Sequence, residues 1–191
     1  MLFIDQFEIA KRLRSTHNLL RNREGLQPTE AFDNLAVYFG ARLDRGKKKL
    51  DFENLTKFCE KHSMPNKCSE KSFKIISESF REVLISESDF DFLSAGMRNF
   101  ISGSARKSLG IFLTPEIVCD LTVSIASKLL GITQNIMICD PACGAGTFLL
   151  SANKYFSNNC NLMGLDISNR MALLAKLNTN AFKNVIIDKY D

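Results

Sequence analysis

The chain has 191 residues, 45% of them hydrophobic and 24% charged, with a formal net charge of +4. This composition belongs to a globular protein with room for one ordinary domain or two small ones, and excludes disordered and collagen-like classes. No stretch approaches the roughly 18 uninterrupted apolar residues of a membrane span, and the opening Met1-Leu2-Phe3-Ile4 meets Asp5 before a signal-peptide core can form. The six cysteines lack the dense, regular spacing of a disulfide scaffold, so reduced thiols in a cytoplasmic protein are the expectation. The mild positive charge permits a nucleic-acid partner without requiring one.

Charge is unevenly distributed. Residues 1–95 carry 16 basic and 15 acidic side chains, whereas residues 96–191 carry 9 and 6. The shift from a charge-dense to an apolar half predicts two domains, 1–95 and 96–191. In the first, Phe3, Phe7, Ala10 and Leu13 recur at helical spacing, with Gly25 as a stop. Pro28-Thr29-Glu30 opens a second helix presenting Phe32, Leu35, Ala36, Phe39 and Leu43 on one face. Phe52, Leu55, Phe58 and Cys59 mark a third. Phe73, Ile76, Phe80, Val83 and Leu84 mark a fourth capped by Ser69, and Ser88 with Asp91 starts a fifth through Leu93, Met97, Phe100 and Ile101. Nothing in this half alternates with period two, so it is read as wholly helical.

The rhythm changes after residue 110. Thr114-Pro115-Glu116 reads as hydroxyl cap, proline at the first helical position and acid in the first turn. Ile117, Val118, Leu121, Ile125 and Leu129 follow at helical spacing up to Gly131. Ile136–Asp140 is a short apolar strand, and a turn and a helix through Tyr155 and Phe156 lead to a second strand, Leu162–Asp166. A helix capped by Ser168, with Leu173, Leu174, Leu177 and Ala181, then reaches a third strand, Val185–Asp188. This order predicts an α/β fold with a parallel, doubly wound sheet joined by right-handed crossovers.

Asp140-Pro141-Ala142-Cys143-Gly144-Ala145-Gly146-Thr147 follows the first strand, where such sheets bind ligands. Gly144 and Gly146 let backbone approach a ligand, and the helix behind them points N–H groups at it. A dinucleotide fingerprint wants a third glycine where Leu149 stands, and no Gly-Lys-Ser/Thr of a P-loop follows. Asp140 at the base of the loop repels a pyrophosphate. It favours the ammonium of S-adenosylmethionine, whose net charge is positive and whose carboxylate suits the N–H groups. Asp166 ends the second strand 20 residues beyond Gly146, where an acid accepts ribose hydroxyls. Either acid alone reads equally well as a loop cap; the pair around Gly-x-Gly favours the nucleoside.

Asp140-Pro141-Ala142-Cys143-Gly144-Ala145-Gly146-Thr147-Phe148-Leu149 is similar to the cofactor motif of DNA adenine-N6 methyltransferases. Gly110-Ile111-Phe112-Leu113-Thr114-Pro115 resembles their Gly-x-Phe-x-Thr-Pro segment, which precedes that motif in the gamma order and packs beside the methionine end of the cofactor. Gly164-Leu165-Asp166-Ile167 resembles the ribose-binding segment. Ala175–Asn178 with Asn184–Asp191 resembles the approach to the third motif, whose acid meets the adenine amino group; Asp191 is the choice for that acid and Asp188 the alternative. Residues 88–113, with Asp91, Leu93, Arg98, Arg106 and Lys107, look like the connector in modification subunits of type I restriction–modification systems. The helical half is more loosely similar to their amino-terminal domain.

The resemblance implies the first half, strands 1–3, of a class I methyltransferase sheet of order 3-2-1-4-5-7-6. It implies S-adenosylmethionine held by Phe112, Thr114, Pro115, Asp140, Pro141, Ala142, Gly144, Gly146, Asp166, Ile167 and Asp191. Double-stranded DNA, a specificity subunit and a restriction subunit are the implied partners, with no membrane. In the family an Asn/Asp-Pro-Pro-Tyr/Phe segment after the fourth strand accepts hydrogens from the poorly nucleophilic adenine amine and stacks on the flipped base. The four prolines here are Pro28, Pro65, Pro115 and Pro141, none adjacent, so that segment is absent from these 191 residues. A truncated enzyme, inactive alone, is therefore expected. The rival is an assembly module without turnover, and a third reading is a class I methyltransferase acting on RNA or protein.

Other constellations are weaker. Cys59, His62 and Cys68 offer three metal ligands where structural zinc wants four, so no metal site is expected. Arg42, Arg45 and Lys47-Lys48-Lys49, and the acid-free stretch from Arg98 to Lys107, are candidates for phosphate contact, with a solvated surface as the plain alternative. With only His17 and His62 in the chain, no Ser-His-Asp triad is credible.

Overall fold

The computed structural model describes residues 6–45, 50–62, 68–81, 114–131, 135–156, 160–179 and 184–190. The chain divides into two compact units, Met1–Leu109 and Gly110–Asp191. The boundary expected at residue 95 lies outside the described residues, as do the fifth helix from Ser88, Val83, Leu84 and Ala181.

The described part of the first unit is helical: α1 (Gln6–Glu24), α2 (Pro28–Arg45), α3 (Phe52–Lys61) and α4 (Glu70–Ser79). Helix α2 is its centre. Residues 31 to 41 are buried without a break, so α2 is enclosed on all sides rather than along the single stripe its apolar spacing suggested. Rings from three elements meet there: Phe39 packs edge-on to Phe80 at 5.0 Å and to Tyr38 at 5.5 Å, and Phe73 lies 5.8 Å from both Tyr38 and Phe52. Among the described side chains of α1, Leu13, Thr16, His17 and Leu20 are buried, whereas Ala10, expected on that face, is exposed. Burial lowers the His17 pKa, and its Nε2 lies 3.1 Å from the Pro28 carbonyl at the α1–α2 turn.

Helix ends follow local chemistry. Ser69 caps α4 by accepting the Ser72 N–H at 3.0 Å, and Asp51 caps α3 through the Asn54 N–H at 2.8 Å. The last turn of α4 contains no basic residue of its own. Two guanidinium groups from other helices donate to its terminal carbonyls instead, Arg12 to Ser79 at 3.3 Å and Arg42 to Phe80 at 3.2 Å.

The second unit runs α5 (Glu116–Leu130), β1 (Ile136–Asp140), α6 (Thr147–Phe156), β2 (Cys160–Asp166), α7 (Asn169–Asn178) and β3 (Val185–Lys189). The strands form a parallel sheet of order β1-β2-β3, the 3-2-1 half of the expected arrangement, and the order of elements matches the α/β reading. Ile136 aligns with Cys160 and Asp140 with Gly164, and on the other side Leu162 aligns with Val185 and Asp166 with Lys189. Side chains alternate across the sheet. Ile136, Ile138, Cys160, Leu162, Val185 and Ile187 join one apolar cluster with Val123 of α5, Leu149 and Ala152 of α6, and Ala172 and Ala175 of α7. All three helices therefore contribute to the same side.

Helix α5 departs from the sequence reading in two respects. Its N-cap is Pro115, without a side-chain cap hydrogen bond. The Pro115 carbonyl accepts from Val118 and Cys119, so the helix starts one residue later than predicted and Thr114 is not its cap. Moreover, Ile117, Val118, Leu121, Ile125 and Leu129 are 46–82% exposed, while Cys119 and Val123 are buried. Packing is through the narrow Cys119–Val123 side, and Asp120 clamps α6 by accepting from Ser151 at 2.7 Å and Lys154 at 2.6 Å.

Candidate cofactor-binding site

The loop between β1 and α6 is fastened at both ends. At its start, the Asp140 Oδ1 accepts the Ala142 N–H at 3.1 Å, turning the chain out of the strand. The Cys143 N–H donates to the Leu165 carbonyl at 2.8 Å, and the Gly144 N–H donates to Asp166 Oδ2 at 2.9 Å. Asp166 Oδ1 accepts the Ser168 N–H at 2.8 Å. Asp166 thus ties the glycine loop to the start of the chain that leads into α7. Gly144 (φ +54°) and Gly146 (φ +82°) are both left-handed, a conformation that costs other residues about 1–2 kcal/mol, which is why this turn requires glycine twice. Helix α6 begins at Thr147 directly behind it, and a helix N-terminus of this kind favours an anionic group.

The electrostatics are those of an acid pair. Burial pushes the Asp140 carboxyl above its ordinary pKa, the Ala142 N–H pulls it back, and the Asp166 carboxylate pushes it further up. Both acids add to the burial that raises the Cys143 thiol to about 12. A cation relieves this repulsion; a pyrophosphate aggravates it. Close packing behind the loop is set by Gly164, where a Cβ would lie 2.6 Å from Ile187 Cδ1 and 2.7 Å from Leu149 Cδ1. An apolar hollow of about 320 Å³ flanks Asp140 and Pro141, walled by Val123, Ala126, Ile138, Phe148 and Phe156 among others.

Of the residues predicted for the site, Asp140, Pro141, Ala142, Gly144, Gly146 and Asp166 are brought together at the carboxyl ends of β1 and β2. Ile167 follows Asp166 and is 68% exposed. Thr114 is half-buried and Pro115 exposed at the start of α5. That helix carries Cys119 close to Asp140: burial, Asp120 and then Asp140 raise its thiol to about 11. Phe112 and Asp191 lie outside the described residues. Asp188, the alternative to Asp191, is exposed in β3, with its Oδ1 accepting the Lys189 N–H at 2.8 Å. One residue that the sequence reading did not connect with the loop is bonded to it: Asn178 donates from Nδ2 to the Ala145 carbonyl at 2.8 Å, across 33 positions of sequence. No local pattern reports a pair so distant.

The remaining candidates resolve into structural roles. Arg42 is engaged with the Phe80 carbonyl and lies 5.9 Å from the Tyr38 ring, and Arg45 donates to Asn54 at 2.8 Å. Two members of the basic run are therefore internal tethers; Lys47–Lys49 and the stretch from Arg98 to Lys107 lie outside the described residues. All six cysteines are free, and only Cys139 is exposed. Burial raises the Cys59 and Cys68 thiols to about 11 and 12, and His62 packs 4.4 Å from the Phe58 ring. Among the described residues no group of three metal-ligating side chains comes together, and no helix is long and apolar enough to cross a membrane.

Comparison with known proteins gives a consistent relationship. Residues 95–188 match the family model of N-6 DNA methylases. The chain is 39% identical over 69 residues, 35% of its length, to a type II restriction enzyme and methyltransferase (RM.BcgI) of Heyndrickxia coagulans. Over 137 residues, 67% of its length, it is 31% identical to the methylase subunit of the type I restriction enzyme MjaVII of Methanocaldococcus jannaschii. These alignments span 10% and 23% of the two relatives' own lengths. Among solved structures, one from Listeria monocytogenes described as a class I S-adenosylmethionine-dependent methyltransferase matches with a TM-score of 0.57 and 19% identity, covering 94% of this chain and 52% of that one. The methyltransferase subunit of a type I restriction–modification system from Streptococcus thermophilus matches with a TM-score of 0.53 and 13% identity, covering 98% and 59%. The fold is that of class I methyltransferases, and residues 95–188 are similar to the N-6 DNA methylases.

Proposed function

We propose that this chain carries the cofactor-binding part of an adenine-N6 DNA methyltransferase of a restriction–modification system, and that its ligand is S-adenosylmethionine. The observation that carries this reading is the acid pair: Asp140 and Asp166 end adjacent parallel strands on either side of two left-handed glycines, and the Asp166 carboxylate adds to the burial that raises the Asp140 pKa. A ligand with an ammonium and a sulfonium answers that field. Asp140 favours the ammonium, the first-turn N–H groups of α6 favour the carboxylate, and the remaining lone pairs of Asp166 favour ribose hydroxyls. Exposed Ile167 offers apolar surface to the base, and Phe112, Thr114, Pro115, Pro141, Ala142 and Asp191 are assigned to the same ligand by family resemblance. The group supplies a methyl already activated on sulfur; the protein supplies alignment and polarity.

The family match favours DNA over RNA or protein as substrate, and both sequence relatives and the Streptococcus thermophilus structure belong to restriction systems. Duplex DNA and a specificity subunit are therefore the proposed partners, with a restriction subunit as a further one. Because no Asn/Asp-Pro-Pro-aromatic segment occurs in these residues, an assembly role without turnover is the second reading for residues 1–191 alone. Calorimetric titration decides the ligand: S-adenosylmethionine binds and ADP does not, and Asp166→Ala weakens S-adenosylmethionine by about tenfold or more, the worth of a charged hydrogen-bonding group. Unchanged affinity removes Asp166 from the site, and tighter binding of ADP overturns the proposal.

A further inference from the structure

We propose that Asn178 is a positioning residue that locks the glycine loop in its binding shape. This deepens the cofactor reading above and rests on it. Asn178 ends α7, and its amide reaches back to the Ala145 carbonyl at 2.8 Å. Asn178 is 4% and Ala145 2% exposed, so this hydrogen bond is shielded from water. Ala145 lies between the two left-handed glycines. Its peptide unit with Gly146 is held at both ends, because the Gly146 N–H donates to the Cys143 carbonyl at 2.8 Å. A flip of that peptide loses both bonds and leaves buried polar groups without partners.

The same helix forms the bed under the loop. A Cβ on Gly146 would lie 3.3 Å from Ala175 Cβ and 3.6 Å from Thr179 Cγ2. Ala175, Asn178 and Thr179 fall within about one turn, on one side of the helix end. The Gly146 carbonyl in turn accepts the Leu150 N–H at 3.0 Å. Fixing the peptide between Ala145 and Gly146 thereby sets the direction of the α6 first turn, the part of the site assigned to the ligand's carboxylate. Asn178 is itself buried and is not among the residues assigned to the ligand. It acts through the loop.

The test has two readouts, one independent of any ligand. Hydrogen exchange on the chain with Asn178→Ala should show the Gly144 and Gly146 amides exchanging about tenfold faster than in the parent, while the core amides of β2 keep their protection. In calorimetry the same substitution should weaken S-adenosylmethionine by about tenfold. Asn178→Asp, which keeps the shape and replaces the donor by an acceptor, should weaken it at least as much. Leu177→Ala serves as control: Leu177 is buried on the same helix at 2% exposure, so this change lowers the melting temperature and leaves the affinity of the folded protein unchanged. Loop amides as slow in Asn178→Ala as in the parent overturn the inference, as does a loss of affinity in Leu177→Ala equal to that in Asn178→Ala. If the parent itself fails to bind S-adenosylmethionine, the cofactor reading falls, and the exchange result alone decides the role of Asn178.

Discussion

On the proposed function, single residues set the selectivity of the loop, and Asp140 shows how. Burial first, and the neighbouring Asp166 next, raise its pKa in the folded protein. An acid with a raised folded pKa holds its proton more readily in the fold, so stability declines as pH rises from its ordinary value through the raised one and is level above. A cationic ligand favours the ionised form and reverses the preference. S-adenosylmethionine binding should therefore release protons near the raised value and weaken as pH falls through it. Calorimetry in buffers of different ionisation heat measures the release; Asp140→Asn should abolish it. Equal proton release in parent and variant places the titration elsewhere.

At the level of elements, the second unit depends on how closely α6 and β3 approach β2 at Gly164. The side chains of Ile187 and Leu149 occupy the space where a Cβ would stand, and Cys143 Sγ is 3.1 Å from it. Gly164→Ala should destabilise the protein by about 1–3 kcal/mol, the usual cost of overpacking a filled core, read as a lowered melting temperature. Wild-type stability would mean that the Ile187 and Leu149 ends move aside freely. Helix α5 is the counterexample of an element defined by its periodicity but not packed by it. Its apolar row is exposed, and its attachment is Cys119, Val123 and the Asp120 bonds to Ser151 and Lys154.

For the whole molecule, the three-stranded sheet found among the described residues is the controlling feature. Among the described residues β1 is paired with β2 alone, and Met137 and Ile186 on the side away from the helix cluster are 63% and 60% exposed. Parallel sheets are ordinarily covered on both faces, and an open apolar edge is an association hazard. On the proposed function, what these 191 residues contain is the means to hold a methyl donor, without the segment that accepts hydrogens from an adenine amine. Purified chain 1–191, incubated with duplex DNA and labelled S-adenosylmethionine, should leave adenine unmethylated. Transfer of label to adenine N6 would show that some other group in this chain supplies that chemistry.

Much of this was legible in the sequence for local reasons. Strand β1 begins and ends where a short apolar run between Gly131 and Pro141 places it, and Ser69 and Ser168 cap the helices they precede because a hydroxyl and an N–H three residues apart need only each other. Gly144 and Gly146 announced a turn that side chains resist. What only the tertiary structure decided involves partners far apart in the chain. The enclosure of α2 takes in Asp33 and Asn34, and the exposed face of α5 is apolar. The carboxylate of Asp166 is a loop fastener as well as a strand-end acid, and Asn178 reaches Ala145 across 33 positions. Periodicity states which side chains prefer to leave water; which of them do so depends on the neighbours that the fold brings, and those are set by topology rather than by adjacent residues.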